Sequence, residues 1–179
     1  MAKVLRKEFF ARDAVRVARS FLGCYLVRRI GNKNVRLKIT ETEAYLGEND
    51  LASHARFGKT KRNLIMYGPA GYFYVYFVYG NHWLLNVVTG KTGQPQAVLI
   101  RSAGDKTGPA RLTKRLRITG AFNDQAAEKK SGLWFEIGEQ TSSRHIIKLP
   151  RIGVSYARQI WSNKRLRFCI KSDTKKHKV

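Results

Sequence analysis

The feature that most constrains the fold is an aromatic-rich stretch, residues 71–90, which reads GYFYVYFVYGNHWLLNVVTG. Aromatic and β-branched residues fill both halves, and Gly80-Asn81 stands between them. This composition around a central turn dipeptide predicts a β-hairpin. The segment QAVLIR, residues 96–101, follows the turn GKTGQP and predicts a third strand. The chain is therefore expected to build an antiparallel sheet.

Helical signals lie on both sides of this predicted sheet along the chain. ARDAVRVARSFLG, residues 11–23, has apolar residues at helical spacing, with Asp13 placed to cap its N-terminus. GPARLTKRLRI, residues 108–118, predicts a basic helix whose first turn suits Pro109. KRLRFCI, residues 164–170, predicts a late strand. These elements together predict an α+β fold.

The length of 179 residues favours a single domain with a real core. We expect one compact domain over residues 1–170. The remaining residues, 171–179, read KSDTKKHKV and are expected to form a basic, mobile tail.

The charge balance favours a polyanionic partner. The chain has 35 Lys and Arg against 12 Asp and Glu, a net charge of +23, and nucleic acid is the usual partner of such an excess. A membrane surface is the competing partner, but the sequence has no amphipathic basic helix, lipid signal or apolar run of membrane length. The start MAKVLRKEFF lacks the apolar core of a secretion signal.

Several common chemistries have no motif in this sequence. The histidines lack metal-ligand spacing, and the two GKT tripeptides lack the upstream glycine of a phosphate loop. There is also no nucleophile-elbow serine. Cys24 and Cys169 are expected to be reduced thiols, because two distant cysteines form neither a disulfide framework nor a zinc site.

An acidic group stands out in this basic chain. Residues 35–45 alternate as a strand does, and the alternation carries on to Glu41, Glu43 and Tyr45. Two carboxylates would then share the apolar side of the strand, which is costly unless they are paired. Such a local conflict often marks a functional site. The alternative is that the strand ends near Thr40 and the glutamates lie in a solvated loop.

A set of ordered motifs resembles the alkyladenine (3-methyladenine) DNA glycosylase family. The motifs are ETEAYLG, His54, KRN, GYFYVYFVYG, Asn86, VLIR, GPARLTK, RIGVSYA and LRF. The resemblance implies a curved, mainly antiparallel sheet with flanking helices and a protruding β-hairpin that enters the minor groove of double-stranded DNA. It also implies excision of flipped-out alkylated or deaminated purines (3-methyladenine, 7-methylguanine, hypoxanthine, ethenoadenine) in base excision repair. No metal or organic cofactor, no membrane and a monomer are implied, in the cytoplasm at the nucleoid of a bacterium or the nucleus of a eukaryote.

The resemblance assigns the chemistry to Glu43 and Arg101. Glu43 matches the general base, which activates a water for attack on C1′ of the flipped nucleotide. Arg101 matches the arginine that positions this water and the DNA backbone, and its charge would keep Glu43 ionised. Read without the family, Arg101 is a surface arginine at a strand end. Glu41 is expected only to orient its neighbours.

The resemblance assigns the base pocket to Tyr45, His54, Tyr76 and Asn86. Aromatic faces attract the positive charge of many alkylpurines by about 0.5–2 kcal/mol. The His54 backbone N–H would select an acceptor at the purine 6-position, and Asn86 would exclude guanine through its 2-amino group. Ordinary core packing is the alternative for each aromatic residue.

DNA contacts are assigned to four further residues. Tyr79 matches the residue that fills the gap left by the flipped nucleotide, as a minor-groove wedge does. Thr60, Arg62 and Arg111 match phosphate contacts. The alternatives are an exposed hairpin tyrosine and a solvated basic face.

The pocket assignment predicts the register of the hairpin. A two-residue Gly80-Asn81 loop would put Asn86 on the opposite sheet face from Tyr76, whereas the pocket needs them together. We therefore predict a three-residue loop, Tyr79-Gly80-Asn81, which pairs Val78 with His82, Tyr76 with Leu84 and Tyr74 with Asn86.

The sequence departs from the family pattern after Arg101. Only six residues, SAGDKT, separate Arg101 from Gly108, where the family usually has a longer segment. The rival interpretations are a non-catalytic nucleic-acid-binding protein and a lesion sensor that flips bases but cuts slowly.

Overall fold

The computed structural model describes residues 3–105 and 107–171, within which eight strands form one sheet. The strands are β1 (Tyr25–Ile30), β2 (Lys33–Tyr45), β3 (Phe73–Val78), β4 (His82–Thr89), β5 (Gln96–Ala103), β6 (Leu133–Glu136), β7 (Ile146–Leu149) and β8 (Arg167–Ile170). Their order is β3-β4-β5-β2-β1-β6, and β8 joins β2 and β7. Every pairing is antiparallel, which confirms the predicted fold class.

Four short α-helices accompany the sheet within the described residues: α1 (Lys7–Phe10), α2 (Ala14–Ser20), α3 (Pro109–Arg115) and α4 (Arg158–Ser162). The predicted helix around Asp13 is confirmed as α2, since the Asp13 carboxylate accepts from the Arg16 N–H at 3.0 Å. The predicted helix with Pro109 in its first turn is confirmed as α3. No described helix is long and apolar enough to cross a membrane.

The main core lies where α1 and α2 pack on the sheet. Its largest side chains include Phe10, Phe21, Phe73 and Phe135, whose rings are 4.6–6.1 Å apart in neighbouring pairs. Burying each such ring contributes about 1.5–3 kcal/mol. A buried hydrogen bond from the Thr42 hydroxyl to a carbonyl of the helical segment, 2.9 Å long, fixes α2 against β2. This contact anchors the strand that carries the two glutamates.

Strand β2 is the longest strand and connects the two halves of the sheet. Residues 33–38 pair with β1, whereas residues 39–45 pair with β5 and residues 41–43 also pair with β8. The alternative in which the strand ends near Thr40 is therefore wrong. The segment with both glutamates lies between two neighbouring strands, where backbone and side chains are shielded from water.

The side of β2 that carries the carboxylates differs from the prediction. Uninterrupted alternation over residues 35–45 would put Glu41 and Glu43 on the side of Ile39, and this is wrong. The register with β5 is irregular on both sides of Glu41. Ile39 and Ala44 consequently share the main core although an odd number of positions separates them. The carboxylates face away from this core.

The hairpin of β3 and β4 has the predicted register. Val78 pairs with His82, and Tyr74 pairs with Asn86, so three residues remain in the loop. Tyr79 and Gly80 both have left-handed backbone conformations, with φ of 51° and 69°. Tyr79 is 87% exposed. The loop therefore presents a large aromatic ring to solvent at its tip.

Two further sequence expectations concern the cysteines and the chain end. Cys24 and Cys169 are free thiols, as expected, and both are buried. All but the first residue of the expected tail, 171–179, lies outside the described residues, so that expectation stays a prediction.

Candidate active site

A cavity of about 510 Å³ opens beside the hairpin, between the sheet and two loops. Residues of β3, β4 and β5 form one wall, and the loop segments 52–54 and 152–154 form others. The predicted pocket and catalytic residues that line it are Tyr45, His54, Tyr76, Asn86 and Arg101. Tyr79 and Arg62 also line it. The fold thus brings together residues that are far apart in the sequence.

Aromatic rings form a continuous part of the cavity wall. The His54 and Tyr76 rings are 4.6 Å apart, and the Tyr74 and Tyr76 rings are 5.0 Å apart. Tyr76 also packs against a small core cluster that includes Tyr74, so its role in packing and its place in the wall coexist. Tyr74 was not among the predicted pocket residues, although it alternates with Tyr76 on the same strand.

His54 is an uncharged part of this wall. Burial, followed by the charges of Arg62 and Arg56, lowers the pKa of His54 to about 4. Its Nδ1 lies 2.8 Å from the Tyr74 hydroxyl, whose pKa burial raises to about 12. The ring is therefore neutral near pH 7 and held in place by a protonated tyrosine.

The loop that carries His54 is held by one buried asparagine. Asn63, the last residue of the KRN motif, donates from Nδ2 to the carbonyls of His54 and Gly58 at 3.0 and 2.8 Å. Its Oδ1 accepts from the Thr60 N–H at 2.7 Å. The His54 N–H begins a 3₁₀ turn, His54–Phe57, and the first N–H of such a turn has no acceptor within it. Asn63 was not among the predicted site residues.

Glu43 is fully buried immediately behind the cavity wall. Its Oε1 accepts from the Ile152 N–H at 2.9 Å and lies 3.2 Å from Nη1 of Arg101. Its Oε2 accepts from the Tyr45 hydroxyl at 2.9 Å. Three residues that line the cavity thus hold the carboxylate at a fixed position beside it.

Arg101 lies between the two glutamates. Its Nε is 3.3 Å from Glu41 Oε1, and its side chain is only 10% exposed, so the interpretation as a surface arginine is wrong. Glu41 also accepts from the Ser102 hydroxyl at 2.7 Å and from Arg167 Nη1 at 2.9 Å. Burial raises the pKa of Glu41, but the Arg101 charge and the Ser102 and Arg167 hydrogen bonds outweigh it and hold the pKa below its ordinary value.

A second buried ion pair supports the same site. Asp50 binds the Arg151 guanidinium through both oxygens, at 2.5 and 2.8 Å, and both side chains are 0% exposed. Burial lowers the pKa of Arg151, but the Asp50 hydrogen bonds and charge raise it above its ordinary value. The Arg151 guanidinium also lies 4.7 Å from the centre of the Tyr45 ring. Neither Asp50 nor Arg151 was among the predicted site residues.

Together these groups form a balanced cluster of buried charge. Its members are three carboxylates, Glu41, Glu43 and Asp50, and three guanidiniums, those of Arg101, Arg151 and Arg167. Each buried carboxylate therefore has a cationic partner, which removes the penalty of isolated burial. This pairing explains why so basic a chain keeps acidic residues together here.

The remaining predicted residues lie at the rim of the cavity or outside it. Arg62 is exposed, donates from Nη2 to the Phe77 carbonyl at 3.2 Å and lies 5.3 Å from the centre of the Tyr76 ring. Thr60 and Arg111 are exposed, and neither lines the cavity. Among the described residues, no three His, Cys, Asp or Glu side chains come together as a metal ion would require.

A family model and the relatives found by comparison agree in their descriptions. The family model described as methylpurine-DNA glycosylase matches residues 8–104 and 104–174. A Legionella pneumophila (strain Paris) protein is 45% identical over 97% of this chain and 97% of its own length. A Carboxydothermus hydrogenoformans protein is 40% identical over 88% of this chain and 92% of its own. A Myxococcus xanthus protein is 43% identical over 86% of this chain and 83% of its own. All three relatives carry the provisional name 3-methyladenine DNA glycosylase.

Proposed function

Because the chain belongs to the methylpurine-DNA glycosylase family, we propose that it removes damaged purines from double-stranded DNA with a water molecule activated by Glu43. The observation that carries the proposal is the position of Glu43, a buried carboxylate held by Arg101 and Tyr45 behind an aromatic cavity. In this reaction the N-glycosidic bond breaks, and the sugar C1′ gains the water oxygen.

The cavity walls would recognise the flipped base. Tyr45, Tyr76 and the neutral His54 offer aromatic faces, which favour a cationic alkylpurine over a neutral purine. The His54 N–H would donate to an acceptor at the purine 6-position. Asn86, whose Nδ2 donates to the Tyr74 carbonyl at 3.1 Å, would exclude the 2-amino group of guanine.

Glu43 would act as the general base. Its Oε2 accepts one hydrogen bond from Tyr45, and a carboxylate oxygen has room for a second. A water bound there would lose a proton to Glu43 as its oxygen attacks C1′ of the flipped nucleotide. The negative charge of the carboxylate would also stabilise the cationic, oxocarbenium-like sugar. A cationic alkylpurine then leaves with the electrons of the broken bond as a neutral base.

The hairpin and the basic surface would hold the opened duplex. Tyr79 at the hairpin tip would occupy the gap left by the flipped nucleotide. Arg62, Thr60 and Arg111 would contact phosphates, and the protein would act as a monomer without a lyase step. The shorter segment at residues 102–107 would alter affinity or lesion range, and the two matched ranges of the family model meet there, at Gly104.

The test is release of free purine bases from methylated duplex DNA by wild type and by Glu43→Gln. We expect wild type to release 3-methyladenine, and we expect the variant to be slower by about 10²–10⁴-fold, since a general base contributes that much. DNA binding by the variant should be retained, as measured by fluorescence anisotropy. Glu48→Gln is the matched control, because Glu48 also accepts from a tyrosine hydroxyl, that of Tyr67 at 2.7 Å, but is exposed.

Two outcomes would contradict the proposal. If wild type releases nothing from methylated or hypoxanthine-containing duplexes yet binds DNA, the non-catalytic binding protein or lesion sensor is the better interpretation. If Glu43→Gln keeps wild-type rates, another group must activate the water.

A further inference from the structure

The Tyr45 ring separates the cavity from a buried cation. Tyr45 lines the cavity, whereas the Arg151 side chain is 0% exposed and its guanidinium lies 4.7 Å from the ring centre. A cation this close to an aromatic ring is within the range of a cation–π interaction. Arg151 therefore already contacts the same ring that a cationic base would contact from the cavity.

Asp50 compensates this cation within the same site. Its two oxygens bind the Arg151 guanidinium at 2.5 and 2.8 Å. The same oxygens accept from the Leu46 and Ala52 N–H groups, both at 3.0 Å, which fixes the loop leading to His54. Without Asp50, a full positive charge would remain behind Tyr45 and would repel any cation stacked on the cavity side.

Arg151 also connects the ring to the catalytic carboxylate. Its Nη1 donates to the Ala44 carbonyl at 3.0 Å, next to Tyr45 on β2. The following residue, Ile152, donates its N–H to Glu43 at 2.9 Å. The ion pair therefore joins the end of β2, the loop after it and the segment that begins at Arg151, and these three segments meet at the cavity.

We propose that Asp50 and Arg151 are positioning residues that set the preference between cationic and neutral lesions, as a neutral pair behind Tyr45. The proposal rests on the proposed glycosylase function. Arg151 holds the ring in place, and Asp50 cancels the charge that would otherwise weaken the attraction of the ring for a cationic purine. The preference then depends on the net charge of the pair, and each single variant shifts it in a different direction.

The test compares excision of 7-methylguanine, whose nucleoside is cationic, with a neutral lesion that wild type also excises, hypoxanthine or ethenoadenine. Single-turnover rates on oligonucleotide duplexes give a cationic-to-neutral ratio for each protein. Breaking a buried ion pair destabilises the fold. The ratio is nevertheless independent of the folded fraction, because both rates are measured on one protein sample.

The two single variants have opposite expected effects. Asp50→Asn leaves the Arg151 charge uncompensated, and we expect the ratio to fall about threefold to tenfold, in line with the usual strength of cation–π contacts. Arg151→Met removes the cation and leaves the Asp50 charge, and we expect the ratio to rise. The double variant restores a neutral pair, and its ratio should return toward the wild-type value.

A purely structural role would lower both rates together and leave every ratio at the wild-type value, which would overturn the proposal. If Asp50→Asn does not fold, Arg151→Met alone decides: a raised ratio supports the proposal, and an unchanged or lower ratio overturns it. Neither result affects the glycosylase function, which the wild-type rates test separately.

Discussion

A histidine in the cavity wall has lost its usual response to pH. Near pH 7 His54 is neutral, so this residue adds no positive charge to the cavity wall. The lowered pKa of His54 also links this residue to the stability of the fold. The unfolded chain binds a proton at this residue near pH 6.5, whereas the folded chain does so only near pH 4. Acid therefore favours the unfolded state over that interval.

We predict that the stability contributed by His54 is present above pH 6.5 and is lost as the pH falls towards 4. Between pH 7.5 and pH 5 the free energy of unfolding should fall by about 1–2 kcal/mol because of this residue. Urea unfolding at the two pH values measures the change, and His54→Gln is the control that lacks the titrating group. Equal pH dependence in both proteins would contradict this assignment.

At this scale the sequence identified some of the site and missed the rest. Glu43 stood out because a carboxylate in an apolar strand pattern needs a partner, and the resemblance added its role. Arg151 and Arg167 carried no such signal, because their carboxylate partners lie 101 and 126 positions away in the sequence. Only the packed fold brings these partners together.

The hairpin shows how an element can hold a strained residue at its tip. A non-glycine residue in the left-handed region costs about 1–2 kcal/mol, and Tyr79 has φ of 51°. The residue is 87% exposed, so packing within the protein does not offset this cost. Contact with DNA is the compensation that the proposed function supplies.

We predict that Tyr79→Gly keeps or slightly raises thermal stability while lowering base release from duplex DNA by about tenfold or more. Glycine adopts the left-handed conformation without strain but cannot fill the gap left by a flipped nucleotide. Melting temperature and single-turnover rates measure the two effects. Tyr79→Asn is the matched variant, because asparagine tolerates this conformation and also lacks the ring. A normal rate on duplex DNA in both variants would remove Tyr79 from the mechanism.

The strands and helices that could be predicted are mainly those with strong local signals in the sequence. The hairpin, β5, α2 and α3 were predicted because turn residues, a cap and a proline mark them in the sequence. β6 and β7 have only four residues each and were not predicted, whereas the equally short β8 was predicted because Leu166, Phe168 and Ile170 stand at alternate positions in the sequence. The irregular pairing beside Glu41 also lacks a local signal, since it depends on how β5 meets β2.

The whole molecule combines a neutral buried site with a strongly basic remainder. The net charge is +23, yet the six ionisable groups around Glu43, five of them buried and Arg167 half-buried, balance each other. The excess positive charge is therefore carried by the rest of the chain, where it can meet phosphates. In the proposed function the site would read the base, while the surrounding surface would supply affinity for any duplex.

We predict that affinity for duplex DNA falls about 100-fold or more between 50 and 200 mM salt, linearly on a log–log plot, as release of several counterions requires. Fluorescence anisotropy titrations measure this dependence. Arg62→Ala should weaken binding and reduce the slope by about one unit if Arg62 contacts a phosphate. An affinity that hardly changes with salt would show that the basic surface does not carry binding.

The irregular stretch of β2 also constrains how this chain can evolve. Before the irregularity the odd-numbered residues of β2, such as Ile39, face the main core. After it the even-numbered residues, such as Ala44, face the core. Removing or inserting a single residue between Ile39 and Thr42 would exchange the two faces, sending Glu43 towards the core and Ala44 towards the cavity. Amino-acid replacements can accumulate along this stretch one at a time, but its length is fixed, and homologues that keep the buried carboxylate should show no gap there when aligned.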